Sequence, residues 1–235
     1  YSIGSHKTFC PKCRNQRRLH NRHDTPLSVT VENDKILFKC HNCEHSGIVS
    51  ERQKDYKIVK PSNKDRLYSW FRERGISSKT VEDLGIYEYN GSICFPYIQD
   101  NQTLNVKYRT YDKRFSQKPN AQRTLYNIDN VKKYWERTGK KNIIIAEGEM
   151  DVIAFYEAGI INAVTLPDGA PKNAKFDLND LRFSALKNCK WLNEVEKVYI
   201  ATDQDEAGKA LHLELVHRFG KDRCLRIQFP NQQGD

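Results

Sequence analysis

Two short apolar segments, each followed at once by acidic residues, constrain the fold of this chain more than any other feature. The first, Asn142–Ala146, is rich in isoleucine and runs into Glu-Gly-Glu-Met-Asp at residues 147–151. The second, residues 198–202, runs into Asp-Gln-Asp-Glu-Ala-Gly at residues 203–208. Short apolar runs with β-branched residues are typical of strands buried in a parallel sheet. The pattern therefore predicts an α/β fold in which acidic groups follow two strands.

The rest of this half of the chain continues the α/β pattern. Helices are expected at residues 152–158, before Gly159, and at residues 209–219. We also predict a third strand at residues 163–166, followed by Pro-Asp-Gly-Ala, a helix at residues 177–191 and a last strand at residues 223–229.

The acidic residues predict a divalent-cation site. Ligands of open α/β sheets bind at the carboxyl ends of the strands, where Glu147, Asp203 and Asp205 are expected. Asp203 and Asp205 are two residues apart, so they point the same way if that stretch is extended. Three converging carboxylates repel one another unless a hard cation lies between them, and oxygen ligands suit Mg²⁺.

An alternative reading needs no metal. Acidic side chains are also common in the first turn of a helix, where they interact favourably with its dipole. Glu149 or Asp151 could serve one helix in this way, and Asp205 or Glu206 the other. We favour the metal site because the acidic groups follow two separate strands.

Two Cys-x-x-Cys pairs in the first fifty residues predict a second metal site. Four thiolates, from Cys10, Cys13, Cys40 and Cys43, complete the tetrahedral shell of a structural Zn²⁺. Between the pairs, residues 27–31 and 35–39 alternate apolar and polar around Asn-Asp, which is typical of a β-hairpin. Residues 1–50 are therefore predicted to form a small β zinc ribbon, and a unit of this size depends on its metal to fold.

The net charge of +9 favours a polyanionic partner. No apolar run approaches the length of a membrane span and no segment resembles a signal peptide, so we expect no membrane partner. Cysteines in metal-type pairs, without a secretory signal, indicate a reducing compartment. We expect the cytoplasm, with the mitochondrion as the alternative.

Residues 51–63 are charged and weakly patterned, which predicts a flexible linker. Residues 64–140 are predicted to form a basic α+β subdomain, and residues 141–235 the parallel-sheet unit. The subdomain should open with a helix whose Leu67, Trp70 and Phe71 face the core, followed by a shorter helix capped at Ser77. Residues 103–141 carry eleven Lys or Arg against three Asp or Glu, an imbalance that favours binding of phosphates over a merely solvated face. The candidate cations are Lys107, Arg109, Lys113 and Arg114.

The paired acidic motifs resemble those of the Toprim domain of primases, type IA and type II topoisomerases and related nucleases. Ala-Glu-Gly-Glu-Met-Asp at 146–151 and Thr-Asp-Gln-Asp-Glu-Ala-Gly at 202–208 are similar above all to the phage and mitochondrial primase–helicase type. Val-Lys-Tyr-Arg at 106–109, Lys-Arg-Phe at 113–115 and Leu-Tyr-Asn at 125–127 resemble the segment that precedes the Toprim strand in that family.

This resemblance implies a DNA primase, a DNA-directed RNA polymerase that makes short RNA primers on single-stranded DNA during DNA replication. It implies that Glu147, Asp203 and Asp205 are catalytic and hold Mg²⁺ or Mn²⁺, and that Lys107 and Lys113 bind the ribonucleoside triphosphate. It places Gly169 in a loop beside the nucleotide. The zinc module is expected to help select the template sequence and to hand over the nascent primer.

Other interpretations of the sequence stay open. A non-catalytic recombination-repair factor also combines a zinc module with a Toprim fold, and a Toprim nuclease would cleave DNA with Mg²⁺. The family's third acidic motif has no clear match, because only Asp235 stands near its position. No Gly-x-x-x-x-Gly-Lys-Ser/Thr motif is present, so a helicase partner is expected beyond residue 235 or on a separate protein.

Overall fold

Residues 2–32, 35–50, 64–119 and 121–229 are described by a computed structural model of the chain. The chain divides into two units, residues 1–54 and residues 55–235. The predicted linker at residues 51–63, the hairpin turn at residues 33–34 and Asp235 lie outside the described residues.

The first unit is built on a four-stranded antiparallel sheet in the order β1-β2-β3-β4. Its strands are β1 (Gly4–Thr8), β2 (Leu27–Val31), β3 (Lys35–Cys40) and β4 (Ser46–Ser50). The predicted hairpin is confirmed as the β2–β3 pair, and β1 and β4 extend it on either side. Two short 3-10 turns, Arg14–Gln16 and Leu19–Asn21, follow the first cysteine pair. Among the described residues of this unit, the buried apolar core consists of Leu27 and Val29 together with three of the cysteines.

The second unit begins with two short helices and an antiparallel sheet. Helix α1 (Lys64–Arg72) buries Leu67, Trp70 and Phe71, which confirms that this aromatic stripe is core. Ser77 caps helix α2 (Ser78–Asp83) as its spacing predicts, since its side chain accepts a hydrogen bond from the Thr80 N–H. The sheet has the order β5-β6-β7-β8. Its strands are β5 (Tyr87–Tyr89), β6 (Ser92–Gln99), β7 (Gln102–Thr110) and β8 (Phe115–Gln117).

The predicted parallel sheet follows, in the order β10-β9-β11-β12. Every neighbouring pair in it is parallel. Its strands are β9 (Asn142–Ala146), β10 (Ala163–Thr165), β11 (Lys197–Ala201) and β12 (Cys224–Arg226). Its helices are α3 (Ile128–Thr138), α4 (Glu149–Glu157), α5 (Ser184–Asn188) and α6 (Glu206–Phe219). The fold class and the strands that carry the acidic motifs agree with the prediction.

Both faces of the parallel sheet are buried, which explains why β9 is apolar from Ile143 to Ala146. Ile143 and Ile145 face a core shared with α3 and α6. Ile144 and Ala146 face the opposite way, into a core shared with α1 and β6. One core therefore joins the predicted basic subdomain to the parallel sheet and fixes each against the other.

Two predicted elements differ from the structure. Residues 177–191 do not form one helix but a 3-10 turn (Leu181–Phe183), α5 and a second 3-10 turn (Lys190–Glu194). The backbone leaves the helical range at Asp180, with a ψ of 118°, and again at Cys189, with a ψ of 81°. The Asp180 side chain caps the new start by accepting from the Arg182 N–H. The last strand is also shorter than residues 223–229, because β12 pairs with β11 over three residues only.

Candidate active site and metal centre

Glu147 and Asp203 meet at the carboxyl edge of the parallel sheet. Glu147 follows β9 directly and Asp203 comes two residues after β11, and the two strands are neighbours with Ala146 opposite Ala201. The backbone N–H of Asp203 donates to Glu147 Oε2 at 3.0 Å. Two segments more than fifty residues apart in sequence are thus brought into direct contact, as the acidic motifs predict.

Asp205 lies in the turn between Asp203 and α6. It is the N-cap residue of α6, and its Oδ1 accepts from the Gly208 N–H at 2.7 Å. The turn is tight at Gly208, where a Cβ atom would lie 2.2 Å from the backbone oxygen of Asp203. The chain therefore bends after Asp203 instead of continuing extended, so the extended stretch on which the expected common direction of the two aspartates depended is not formed. Asp205 serves as a helix cap, as the alternative interpretation proposed, and keeps its second oxygen free of that bond.

The negative charges at this edge oppose one another. Partial burial raises the pKa of Glu147, the charges of Asp203, Asp205 and Asp151 raise it further, and the hydrogen bond from Asp203 works in the other direction. Partial desolvation likewise raises the pKa of Asp151, which accepts from the Gly148 N–H at 2.8 Å. Sequence reasoning considered Asp151 only as a helix cap, and the structure adds its charge to the acidic edge.

The carboxylate donors fit Mg²⁺ in kind but are not drawn tightly together. Among the described residues, the four cysteines form the only group of three or more metal-ligating side chains whose ligand atoms all lie within 4.8 Å of one another. Mg²⁺ keeps several waters and commonly takes only one or two carboxylates together with substrate phosphates. An open, oxygen-only edge of this kind matches that preference.

Lys107 lies on β7 and is buried, not free. Its Nζ is 2.8 Å from Glu149 Oε1, in the first turn of α4. The hydroxyl of Tyr97 on β6 donates to the same carboxylate oxygen. Glu149 is itself buried, and no sequence pattern other than its place in Glu-Gly-Glu indicated this burial. The predicted phosphate-binding lysine is therefore paired with a carboxylate that follows Glu147 by two residues in the sequence.

Arg109 lies two residues further along the same face of β7. It is buried, its Cζ is 4.7 Å from the Trp70 ring centroid, and its Nε has no hydrogen-bond partner. Burial lowers the pKa of Arg109, and the nearby charge of Arg74 lowers it further. A desolvated guanidinium of this kind suits an anionic ligand.

Lys113 and Arg114 lie elsewhere, in the exposed turn between β7 and β8. Lys113 has a φ of 66°, and Arg114 Nε donates to Asp112 Oδ2 at 2.9 Å. The four candidate cations thus separate into a buried pair on β7 and an exposed pair in the following turn.

Gly169 follows β10 in a turn that is tied to β8. It has a φ of 66°, which favours glycine. The preceding Asp168 accepts from Arg123 Nε at 2.8 Å and from Gln117 Nε2 at 3.3 Å. Gln117 also donates to the Pro167 carbonyl at 2.9 Å. These contacts fix the glycine turn against the basic strands.

The four cysteines of the first unit form a compact cluster. Cys10 Sγ lies 3.7 Å from Cys43 Sγ, and Cys13 Sγ lies 3.9 Å from Cys40 Sγ. Tetrahedral Zn–S bonds place the sulfurs about 3.8 Å apart, so the donor set and its size fit Zn²⁺. Asn42 donates to two of the sulfurs, from its backbone to Cys40 and from its side chain to Cys13, each at 3.4 Å. The predicted ligand set is brought together in full.

The parallel-sheet unit matches a known family. Residues 141–229 match the Toprim domain. The chain is 36% identical over 181 residues to "Primase homolog protein" of Arabidopsis thaliana, covering 73% of this chain and 52% of that protein. It is 35% identical over 181 residues to "Twinkle homolog protein, chloroplastic/mitochondrial" of the same plant, covering 73% of this chain and 25% of that protein. The chain therefore spans between a quarter and about half of the length of these curated relatives.

Solved structures share the fold. The primase fragment of the bacteriophage T7 primase-helicase protein superposes with a TM-score of 0.53 at 20% identity, covering 97% of this chain and 91% of that one. The zinc-binding and RNA polymerase domains of the Aquifex aeolicus primase superpose with a TM-score of 0.56 at 14% identity, covering 97% and 73%. In the part of the chain that the structure describes, no helix is both long and apolar enough to cross a membrane.

Proposed function

We propose that this protein is a DNA primase, on the premise that residues 141–229 belong to the Toprim family and that the chain is a relative of the plant primase homologue. It would join ribonucleoside triphosphates into short RNA primers on a single-stranded DNA template. The observation that carries the proposal is the contact between Glu147 and the Asp203 backbone at the carboxyl edge of the sheet. That contact places acidic groups from two motifs in one open, oxygen-lined site.

Glu147, Asp203 and Asp205 would hold the catalytic Mg²⁺ or Mn²⁺. When bound, the ion supplies neutralisation of the triphosphate and activation of the attacking 3′-hydroxyl. The raised pKa of Glu147 supports an alternative role for it as general base, since a carboxylate of higher pKa accepts a proton more readily.

The four candidate Lys and Arg side chains would bind phosphates at different places, two in the buried part of the site and two at the surface. Lys107 is fixed near the acidic edge and would meet the triphosphate, and Arg109, whose buried Nε has no hydrogen-bond partner among the described residues, would bind a further phosphate. Lys113 and Arg114, in their exposed turn, would contact the nucleotide or the template strand. The turn at Gly169 would lie beside the nucleotide, because its ties to β8 hold it against the basic strands.

The cysteine cluster would hold a structural Zn²⁺, and the first unit would read the template and hand over the primer. The flexible linker at residues 51–63 stays a prediction, as does a helicase partner. The name of the Twinkle relative favours an organelle, our alternative location, over the cytoplasm.

Primer synthesis tests the proposal directly. The protein is incubated with single-stranded DNA of varied sequence, labelled ribonucleotides and Mg²⁺, and products are resolved by size. Short RNA products that require all three components are expected, and Asp203→Asn or Asp205→Asn should abolish them while folding and DNA binding persist. Asp222→Asn is the matched control, because Asp222 lies just before β12 and so at the amino edge of the same sheet.

Other products would decide against the proposal. Tight DNA binding without nucleotide incorporation would favour the recombination-repair factor. Mg²⁺-dependent cleavage of DNA without added nucleotides would favour a nuclease. Synthesis that persists in both aspartate variants would defeat the assignment of the acidic edge.

A further inference from the structure

A buried ion pair close to the acidic edge joins β7 to α4. The exposed fractions of the Lys107 and Glu149 side chains are 11% and 5%. Burying two charges costs free energy that their mutual attraction often fails to recover, and apolar residues of similar volume frequently stabilise a fold as well or better. The core around this pair is otherwise apolar and aromatic. The pair therefore points to a role beyond packing.

Glu149 is the acceptor at the centre of this arrangement. The ammonium group of Lys107 can only donate. Burial raises the pKa of Tyr97 well above its ordinary value, and the charge of Glu149 raises it further, so the Tyr97 hydroxyl keeps its proton and also donates. The rings of Tyr97 and Tyr126 lie 5.3 Å apart and close off this side of the carboxylate. Two donors from two strands thus converge on one carboxylate oxygen.

The arrangement also leaves the lysine with unused capacity. An ammonium has three N–H donors, and Glu149 takes one of them. In the described part of the chain, no second hydrogen bond or ion pair holds the Lys107 ammonium, which also lies 5.3 Å from the centroid of the Phe115 ring. Glu149 stands two residues after Glu147, joined through Gly148. The position of the ammonium is therefore set by the segment that carries the first catalytic carboxylate.

We propose that Glu149 is a positioning residue for Lys107. Its carboxylate holds the ammonium beside the acidic edge, so that the remaining N–H donors meet the phosphates of an incoming nucleoside triphosphate. A lysine without this anchor would sample several rotamers and would lose entropy on binding the phosphate. The inference rests on the proposed function, since it takes a triphosphate as the substrate.

Steady-state kinetics of primer synthesis separates positioning from folding. Glu149→Gln keeps the size of the side chain but removes its charge, and Lys107→Gln removes the ammonium. Each should raise the KM for ribonucleotides by about tenfold to a hundredfold, because this is the loss of affinity expected when one hydrogen bond to a charged group is removed. The kcat should change less than about threefold. The double variant should be no worse than the more affected single variant, because both substitutions remove the same interaction.

Two further variants guard against a trivial loss of structure. Glu149→Asp keeps the charge on a shorter arm and should recover part of the loss in KM. Glu157→Gln is the matched control, because Glu157 ends the same helix and accepts hydrogen bonds from the backbone and side chain of Ser77. It should leave KM unchanged even where it lowers the melting temperature.

Three results would overturn the inference. The first is a KM of Glu149→Gln equal to that of the unmodified protein. The second is a KM of the double variant in which the two single effects multiply. The third is a strong shift, in Glu149→Gln, of the Mg²⁺ concentration that gives half-maximal activity, since this would identify Glu149 as a metal ligand. If the unmodified protein makes no primers, the proposed function fails, and equilibrium binding of a fluorescent nucleoside triphosphate tests Glu149 separately. The same rise in Kd is then expected, and no triphosphate binding by the unmodified protein would end both proposals.

Discussion

The two candidate metal centres of this chain are organised in opposite ways. The four cysteines of the first unit lie with all their sulfurs within 4.8 Å, and their ligand set is complete. The carboxylates at the sheet edge are more widely spread, and Asp205 and Asp151 already accept backbone hydrogen bonds. One centre is closed, and the other is open toward solvent.

The chemistry of the ligands explains the difference. Thiols are neutral until they bind metal or lose their protons, so four of them can approach without electrostatic cost. Carboxylates are charged at neutral pH and repel one another, and this repulsion adds to partial burial in raising the pKa of Glu147. A structural site can therefore be shaped by the local hairpin, whereas a catalytic site of this type is completed by the ion and substrate that it binds.

Removal of zinc should produce the largest effect and confine it to the first unit. Its core is too small to fold alone, and structural zinc contributes on the order of 10 kcal/mol in small metal-dependent units. We expect a zinc-selective chelator, or Cys40→Ser, to abolish the dispersed NMR signals of residues 2–50 and to leave those of residues 64–229 in place. A first unit that stays folded without metal would break the contrast between the two centres.

Asp203→Asn should behave in the reverse way. Loss of one carboxylate from the open edge should lower the rate of primer synthesis about a thousandfold or more, which corresponds to about 4 kcal/mol in the barrier. The melting temperature should change little, since Asp203 is exposed and contacts Glu147 through its backbone. A variant that unfolds would show that Asp203 is structural, and one that keeps its activity would show that its carboxylate is not needed for the reaction.

Gly208→Ala tests how the open edge is shaped. A Cβ atom there would lie 2.2 Å from the Asp203 backbone oxygen, so the turn must move, and we expect a loss of about 3 kcal/mol in the free energy of unfolding. Gly148→Ala is the matched control in the other acidic motif, because its Cβ would have its nearest neighbour at 3.7 Å. Chemical denaturation should show a loss below about 1 kcal/mol for that control. Equal losses would mean that the turn at Gly208 is not the constraint.

Glu147→Gln should give the smallest effect, and with the opposite sign. The folded-state pKa of Glu147 is raised, so the folded protein binds this proton more tightly than the unfolded chain does, and the charged form costs stability above that pKa. Without Mg²⁺ at pH 7 the variant should be more stable by up to about 1 kcal/mol, although it is inactive. The gain should shrink as pH falls through the folded-state pKa and also when Mg²⁺ is added. Thermal melts across pH check both trends, and a destabilised variant would contradict the account.

Much of the fold followed from local sequence patterns. The strands before the acidic motifs, the hairpin of the first unit and the cap at Ser77 each depend on residues close together in the chain, and all are confirmed. The four-cysteine cluster belongs to the same class, because Cys-x-x-Cys turns and one hairpin bring the ligands together. The helix predicted at residues 177–191 is wrong because the backbone leaves the helical range at Asp180 and at Cys189, and a helical spacing of apolar residues does not locate such breaks.

The pair formed by Lys107 and Glu149 could not be predicted in the same way. The two residues are far apart in sequence, and each has an ordinary explanation alone, one as a surface cation and the other as a first-turn helix acid. Their contact depends on how β7 packs against α4, which no local pattern encodes. The open centre therefore differs from the closed one in predictability as well as in shape.

The most direct test of the central claim is to locate a divalent cation at the acidic edge. Crystals of the protein grown with Mn²⁺ and a nucleoside triphosphate would be measured at the manganese absorption edge. The account predicts an anomalous peak bound by carboxylate oxygens of Glu147 and Asp203, with the triphosphate on the side of Lys107. A peak elsewhere, or a bound triphosphate with no cation at these carboxylates, would contradict it.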